Sequence, residues 1–590
     1  MTFFRFLPAV LRRLFSRDRL SAEIAVAMAV LTLTATVVAT LQQHASIESD
    51  RWGRREDEYG TEAVGKNVST ALQASTDFGI YRRWFEQLQR ANWAFVRRKA
   101  DTGNVDLDLL SVLNSVDGDL VAWTEQRSDV FKPPYYDASL RSIDFNQYVA
   151  DRIVGPVTRA REQRDVAQAV GDEWSAKSNT YVTILTLLAV ALFFLGLGAS
   201  LSPVVRPYLA GAGAAFGLAA IAWTFLTWQS GVHETPQGAI EKVVEARQAI
   251  SLAEGLGVVG EVTEDLEADY RKAIEAADAA LDLDPTYSAA LLAAADARLA
   301  LAGELRLSGG DPAPTNALLT GARGGYEVYL KQKPGSYVVW GDLGWTTYLS
   351  GDSNRALEAL DEAISLAPDQ FPLYVDRALT RIGAGDSDGA VQDIASAIAV
   401  AAKGTVGANT TNFANADYDL GRVAAWKPEQ AEALTGFRAR LREAEVSLSV
   451  RGEPAGKPNA AALPALKLVT LRRDETGAFV PDNDVEDGGT VSVAGDPGFD
   501  VIGGGVGFRL TLNGELSDPE ATVTVRVWRD GYVDASYNLD FQPKRRSKTD
   551  LDLISPWGRG DFRVDEGEYE LVVYVDGVTR GTLRFTVVNE

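Results

Sequence analysis

The chain is 590 residues long, 46% hydrophobic and 24% charged, with a formal net charge of −23 at pH 7. At roughly 150 residues per domain it should hold about four units. Cysteine is absent and histidine occurs only at His44 and His233, which excludes disulfides, thiolate catalysis, zinc fingers, iron–sulfur clusters and multi-histidine metal sites. A pI near 4.7, with no clustered basic face in any candidate domain, argues against a nucleic-acid partner.

The N-terminal segment 1–23 carries Arg5, Arg12, Arg13, Arg17 and Arg19 against Asp18 and Glu23, a positive flank of the kind that stays in the cytoplasm. Ile24–Leu41 follows as a charge-free apolar run. At 1.5 Å per residue it comes close to crossing a hydrocarbon core of roughly 30 Å, so it predicts a first transmembrane helix. A cleaved signal peptide is the competing reading, but its apolar region is shorter and ends in a small-x-small site. Residues 42–180 are polar and predicted to be mostly helical, with Ile80, Trp84, Phe85, Leu88, Trp93 and Phe95 at three- and four-residue spacing. The predicted form is an extracytoplasmic helical stalk.

Tyr181–Leu201 and Tyr208–Trp228 are two further charge-free runs joined by a short link containing Arg206, and they predict a membrane hairpin. Gly213 and Gly217 stand at the spacing of a helix-packing face, with Gly211 nearby, and Trp223 and Trp228 lie where an interfacial aromatic belt belongs. Three spans from an inside N-terminus place the C-terminus outside. With its RWGRREDEYGTEA stretch and SNTYVTILTLLAVALFFLGLG hairpin, the 1–228 part resembles a widespread bacterial membrane family of unknown function. The resemblance implies topology and no catalytic residues.

Residues 238–448 hold a repeat. Pro285, Pro334 and Pro368 each stand six residues before a bulky residue, Leu291, Trp340 and Tyr374. Gly351–Asp352 matches Gly385–Asp386, Ala356 matches Ala390, Leu360 matches Ile394 and Ala363 matches Ala397, at a 34-residue period. Trp340, Leu343, Gly344, Ala356, Leu360, Ala363 and Pro368 fall on the successive signature positions of the tetratricopeptide repeat, which this region resembles. Ala273, Ala277, Ala280 and Pro285 match an earlier second helix. Ala322, Tyr326, Tyr329 and Pro334 match another, in a unit with an insertion, SGGDPAPT, between its helices. Four repeats are expected, capped by an amphipathic helix from Pro428 to Val446.

Such helix pairs cannot bury their apolar faces alone and stack into a solenoid with a concave inner face. The resemblance implies a partner groove lined by Leu292, Asp296, Leu299, Trp345, Tyr348, Asp376, Leu379 and Ile382. Trp345 and Tyr348 could equally pack between repeats. The Lys, Arg and Asn that grip acidic chaperone tails in one subtype are absent from these positions. Gln229–Leu448 contains 33 Asp plus Glu against 18 Lys plus Arg, a balance of 18 − 33 = −15, which favours a basic or neutral protein partner by steering, unless the acids only solvate outer faces.

The Pro-, Gly- and Ala-rich segment 451–464 reads as a linker. From 465 to 590 the period changes to two, as in TVTVRVW and YELVVYVDGVTRGTLRFTV, with Asp576–Gly577 as a hairpin turn. About seven strands predict a β-sandwich. The ending, with Tyr569, Leu571, Val573 and Val575 facing Leu583, Phe585 and Val587, resembles immunoglobulin-like accessory domains of bacterial surface proteins, with Trp528 and Trp557 as core residues. The expected fold class is therefore a multidomain membrane protein: three transmembrane α-helices, an extramembrane helical stalk, an α-solenoid of tetratricopeptide-type helix pairs and a C-terminal all-β immunoglobulin-like sandwich.

Chemical motifs fall short. Gly60 to Lys66 has phosphate-loop spacing, but Asn67 stands where Ser or Thr must hold magnesium. Asp482, Asp484, Glu486 and Asp487 crowd a loop, with Asp487 and Val493 where an EF-hand needs Gly and Glu. His233-Glu234 lacks the second His of a zinc-protease helix, and Gly503–Gly507 is a lone glycine run entering a strand. Asn67 and Asn409 open chance-level glycosylation triplets. No catalytic residue, metal site or cofactor is expected. The expectation is a non-enzymatic membrane-anchored scaffold for protein–protein interaction at the cell envelope, embedded in the lipid bilayer. A receptor signalling through a separate cytoplasmic partner and a surface-polymer binding module acting through the β-sandwich are the alternatives.

Overall fold

Apolar side chains at every seventh residue determine the longest elements. Helix α1 (Arg17–Ala100) runs for 84 residues without a break, and it buries Ile24, Leu31, Val38 and Ala45 at one heptad position. Its partner α3 (Gly155–Ser200) buries Ala160, Ala167, Tyr181, Leu188 and Leu195 at one position and Val170, Ile184, Ala191 and Gly198 at the other. A sustained seven-residue repeat keeps a seam facing its partner helix. The two run antiparallel, because Gln42 Nε2 donates to Ser178 Oγ at 3.2 Å and Ser49 Oγ donates to the Gly171 carbonyl at 3.2 Å. This computed structural model describes residues 17–100, 128–137, 142–201, 204–256, 264–307, 309, 311–404 and 406–451, and the strands between 464 and 589. Arg5, Arg12 and Arg13 lie outside the described residues.

Among the described residues three helices are long and apolar enough to cross a membrane: α1, α3 and α4 (Arg206–Gln229). Helix α4 buries Ala210, Gly213, Gly217, Ala220, Thr224 and Thr227. A Cβ on Gly213 would come within 2.8 Å of the Ala191 carbonyl, and one on Gly217 within 2.7 Å of Leu31 Cδ2. Glycine therefore allows α4 to close onto both long helices. Gly211 has open space around it and does not belong to that face. Val30, Leu33, Phe193, Leu218, Phe225 and Trp228 remain exposed, as expected of surfaces that meet lipid tails.

Between α1 and α3, a 3₁₀ turn (Asp129–Phe131), the short pair β1 (Tyr136–Asp137) and β2 (Ser142–Ile143), and helix α2 (Phe145–Val149) pack on the polar end of α1. Trp84, Val130, Phe131, Tyr135 and Tyr148 form the cluster. Asp77 is 1% exposed, and its carboxylate accepts from the hydroxyls of Ser128 and Tyr148 and from Gln73 Nε2. A π-helical turn (Ala150–Val154) leads into α3.

The chain divides into two units, Met1–Ala297 and Arg298–Glu590. In the first, helices α5 (Gln237–Leu256) and α6 (Glu264–Leu283) form an antiparallel-type pair through Ala246, Ala276 and Ala277. The pair is fastened to α3 by polar contacts. Arg159 holds Glu241 with both its Nε and Nη2, the latter at 2.7 Å, and Tyr287 donates to Glu162 at 2.7 Å. His233 Nε2 lies 2.9 Å from Asp284 Oδ2, while its backbone amide donates to Glu173 at 2.8 Å. Lys177 Nζ donates to the Ser230 carbonyl at the end of α4 at 2.5 Å. Helix α7 (Ser288–Leu307) spans the unit boundary.

The second unit is built on repeated helix pairs. After α8 (Pro312–Gln332) come α9 (Tyr337–Leu349) with α10 (Ser353–Leu366), α11 (Phe371–Ala384) with α12 (Ser387–Ala401), and α13 (Val406–Trp426) with α14 (Ala431–Arg451). The 34-residue period is visible atom by atom. Trp340 Nε1 donates to the Pro334 carbonyl and Tyr374 OH to the Pro368 carbonyl, both at 2.9 Å. Asp352 and Asp386 cap the next helices through the amides of Arg355 and Gly389. Gly351 and Gly385 sit at φ 90° and 84°, the left-handed backbone that ends the preceding helix and favours glycine. Ala356, Leu360 and Ala363, with Ala390, Ile394 and Ala397, are fully buried.

Two expectations are corrected here. The PAPT half of the SGGDPAPT insertion is the first turn of α8, capped by the Asp311 side chain on the Ala313 amide at 3.0 Å. The closing helix opens as a 3₁₀ turn (Pro428–Gln430) and extends to Arg451, and it is not alone: α13 pairs with it. Asn409, the start of one of the chance-level triplets, lies inside α13.

Among the described residues ten strands follow, in two sheets. One has the order β10 (Leu553–Pro556), β6 (Gly504–Leu512), β3 (Pro464–Arg473), β4 (Phe479–Val485), all antiparallel. The other runs β5 (Gly489–Val493), β12 (Val578–Asn589), β11 (Gly567–Val575), β7 (Val523–Arg529), β8 (Tyr532–Val533), with β9 (Leu539–Phe541) also on β7. Its β5–β12 pair is parallel. Tyr569 lies opposite Phe585 and Leu571 opposite Leu583 on one buried face. The other face of β11, Val572 and Tyr574, packs with Trp528 against Val446 of α14. Arg442 of α14 ties this junction, bonding Asp417 and Glu570 and lying over the Trp528 ring at 4.3 Å. Trp557, Asp576 and Gly577 lie outside the described residues.

Candidate functional site: the row of first helices

Helices α9, α11 and α13 are neighbours in turn, as are α12 and α14. The first helix of each pair therefore forms one row and the second helix another, the arrangement that gives stacked helix pairs an inner face. Equivalent positions 34 residues apart come into register on that face. Asp342 of α9 corresponds to Asp376 of α11, Trp345 to Leu379, and Tyr348 to Ile382.

Trp345, Asp376 and Ile382 are half-buried on the row, and Leu299 packs half-buried against the same core. Tyr348 and Leu379 have no exposed surface, so they act as packing residues and are withdrawn from the surface set. Tyr348 is stacked by Trp345 at 5.4 Å and met edge-on by Trp426 at 6.3 Å. Lys427 Nζ lies 4.2 Å over its ring and 4.4 Å over Trp426. Burial, then the charge of Glu429, pushes the Tyr348 phenol up, and burial pulls the Lys427 ammonium down. Leu292 and Asp296 belong to the first unit, where both are half-buried and Arg247 Nη1 holds Asp296 at 2.7 Å.

Sequence reasoning missed the third carboxylate of the row. Asp419, on α13, is pushed up to about 6 by burial, with Arg422 opposing and Glu304 adding to the rise. Asp376 stands well above the usual carboxylate range, first through burial and then through Asp419 and Asp342. Asp376 is half-buried, and part of its surface stays accessible. The signal for α13 was present as Phe413, Ala416, Leu420 and Val423, all buried at helical spacing. Its lack of a Pro-and-aromatic opening hid it.

The discarded motifs take ordinary places. Gly60 to Asn67 is uninterrupted helix within α1, Asp482 and Asp484 lie in strand β4 and not in a loop, and β6 starts at Gly504. Glu486, Asp487 and Gly503 are outside the described residues. Among the described residues no cluster of three His, Asp or Glu has the geometry of a metal site.

No family model matches the chain, and no curated protein matches it. Among solved structures it is similar to a chain titled "MamA RS-1 ArsTM double mutant", with 14% identity, covering 31% of this chain and 84% of that one, at a TM-score of 0.21. A likeness that slight bears on neither fold nor function.

Proposed function

We propose that the protein is a non-enzymatic, membrane-anchored scaffold whose tetratricopeptide-type helix pairs dock a protein partner outside the cytoplasm. The observation that carries this reading is the row α9, α11, α13, which presents Trp345, Asp376 and Ile382 as half-buried, partly accessible side chains along one face. Stacked helix pairs bind extended segments on such a face. Three apolar helices after an arginine-rich start support an outer location for the pairs under the positive-inside rule. The contacts of His233 with Glu173 and of Lys177 with Ser230 keep the exit of α4 beside the polar end of α3, as the two crossings of a helical hairpin require. The two C-terminal sheets are read as an immunoglobulin-like accessory module mounted on α14.

A photo-crosslinking residue at Trp345 in the full chain, in membranes, should yield a discrete adduct that the same residue at exposed Glu362, on α10, does not give. Equal labelling at both positions, or none at Trp345, refutes the docking face. A C-terminal reporter active only in the cytoplasm refutes the exported topology.

A further inference from the structure

Helix α1 carries a second seam on the side away from α3. Two residues on from Ile24, Leu31, Val38 and Ala45, and so about 200° round the helix, stand Val26, Leu33, Thr40 and Ile47, all exposed. Alternating steps of three and four residues continue this line. From Ala29 to Ser75 every position on that spacing is exposed, over almost seven heptads. A sustained spacing of this kind keeps one face of a helix turned towards a single helical partner.

The residue types on the line change where α1 passes from its apolar to its polar half. In the apolar half it holds Ala29, Leu33, Thr36 and Thr40, and the hydroxyls of Thr36 and Thr40 return to backbone carbonyls of their own helix at 3.0 and 2.9 Å. Small, internally satisfied residues are what brings helices together in lipid, where burial of apolar area gives no drive. In the polar half it holds Ile47, Val64, Val68 and Ala71, the type that associates in water. One face thus carries the residues that favour a helix partner on both sides of the boundary.

The polar half also needs cover. From Thr61 to Thr76 no residue of α1 is buried, and Gly65 with several Val and Thr makes this stretch a poor helix former on its own. Area decides what kind of partner fits. Ile47, Val64, Val68, Leu72 and Phe78 each expose between half and two-thirds of their surface. At about 80 Å² for a fully buried apolar side chain, with a little over half of an interface apolar, they account for about 850 Å² across two partners, short of the roughly 1,000 Å² that a specific interface needs. A soluble partner would meet this half alone. A second copy of α1 continues into the apolar half and adds its contacts there. Charge agrees with that occupant: Asp50, Arg54 and Asp57 are successive positions of the line, so in a parallel pair each guanidinium has carboxylates of the other chain within about one turn on either side.

We propose that the chain forms a parallel homodimer through this second seam of α1, running from Ala29 in the membrane to Val68 and Ala71 outside it. The proposal rests on the membrane anchoring above and is independent of the docking face.

The absence of cysteine from the chain makes the test direct. Val64→Cys and Val68→Cys, each in the purified full chain in liposomes, should give an adduct of twice the chain mass with a short thiol-to-thiol cross-linker. Lys66→Cys, exposed on the opposite side of the same turn, should not. The yield should hold when lipid is raised tenfold over protein. Val64→Lys with Val68→Lys should abolish the adduct formed through Ile47→Cys; both positions are exposed, so the thermal midpoint should stay that of the native chain. Equal yield through Lys66→Cys, yield that falls in proportion to lipid dilution, or no adduct through Val64→Cys and Val68→Cys overturns the dimer. In cell membranes the adduct should keep the same mass, and a different mass assigns the face to another protein and overturns the proposal. Extraction at alkaline pH separates the two readings. A chain that stays in the liposomes without forming the adduct keeps its anchor and loses the second seam, whereas a chain that is released loses the anchor and the dimer with it.

Discussion

Gly344 and Leu360 should show opposite-sign coupling, because each shapes the other's space. Leu360 of α10 is fully buried, and a Cβ on Gly344 of α9 would stand 2.6 Å from Leu360 Cγ, 3.0 Å from its Cδ2 and 3.3 Å from the Ala356 carbonyl. Leu360→Ala should cost about 3 kcal/mol, from roughly 0.8 kcal/mol per carbon removed plus the residual cavity. Gly344→Ala alone gains about 1 kcal/mol of helix propensity but loses about 1–3 kcal/mol to overpacking against packed backbone and side chain. It should come out neutral to destabilising by about 2 kcal/mol. In the double variant the methyl group added at position 344 enters the space that Leu360 vacated. The propensity gain is then realised without the clash, and the pair should be less destabilised than Leu360→Ala alone, with a favourable coupling of about 1–3 kcal/mol. Hydrogen exchange of the solubilised full chain, followed on amides of 337–366, measures the local opening free energy. A Gly344→Ala variant as protected as the native chain, together with a coupling within about 0.5 kcal/mol of zero, refutes the close approach of α9 and α10.

Three further outcomes follow from the same structure. Asp419 has its folded-state affinity for protons raised to about 6 by burial; a raised carboxylate is destabilising once ionised, so stability should fall as pH rises from about 4 through about 6. Asp419→Asn should flatten that part of the Tm–pH profile and raise Tm at pH 8, and a profile unchanged by the substitution contradicts the assignment. Gly217→Leu should push α4 off Leu31 and make the span bundle protease-sensitive, whereas Gly211→Leu, facing open space, should not; limited proteolysis in nanodiscs distinguishes them. Arg442→Met should cost about 1.5–3 kcal/mol by removing the guanidinium shared by Asp417 and Glu570, which keep Arg438 and Arg584 respectively. The loss should appear first as faster exchange in β7 and β11, and protection equal to the native chain there contradicts the anchoring role.

The legible parts of the sequence were those where local rules and tertiary structure ask for the same residue. Pro334 and Trp340, or Gly385 and Asp386, announce helix ends because a carbonyl, an amide and a left-handed backbone must each be satisfied there, whatever surrounds them. The charge-free runs announced long apolar helices for a similarly local reason. Helix α13 was missed because its Gly, Asn and Thr content speaks against helix while its evidence, the stripe from Phe413 to Val423, counts only once α14 is there to cover it. The strands of the ending were read as alternating, yet Val572 and Tyr574 are buried as fully as Leu571 and Val573. Only the arrival of α14 on the second face explains the unbroken run ELVVYV. On the candidate face, Trp345 and Asp376 could be named from repeat position, but Tyr348 could not be separated from them. A helix position predicts direction, and the covering of Tyr348 by Lys427 and Trp426 comes from residues far along the chain.

The seam between α1 and α3 carries a consequence that hydropathy conceals. Hydropathy divides α1 sharply near Leu41, but the buried heptad position passes through that boundary without a shift, from Val38 to Ala45, and α3 does the same from Ala167 to Tyr181. In water the seam is held by removal of apolar surface. Were the apolar halves to enter lipid, as their length and composition allow, that drive would be lost there and packing would have to hold the seam, which fits the close approach of Gly213 to Ala191 and Leu195 and of Gly217 to Leu31. A register that satisfies both solvents leaves no hinge at the membrane surface, and the helix pair α5–α6 is bolted to the polar part of the same α3 by Arg159, Glu162 and Glu173. A rotation of α3 would therefore move the apolar seam and the polar contacts together. For a docking scaffold this rigidity fixes where the first helix pair is presented. The same coupling is what a receptor would need, and it makes disruption of the seam at Leu188 the way to separate anchoring from orientation.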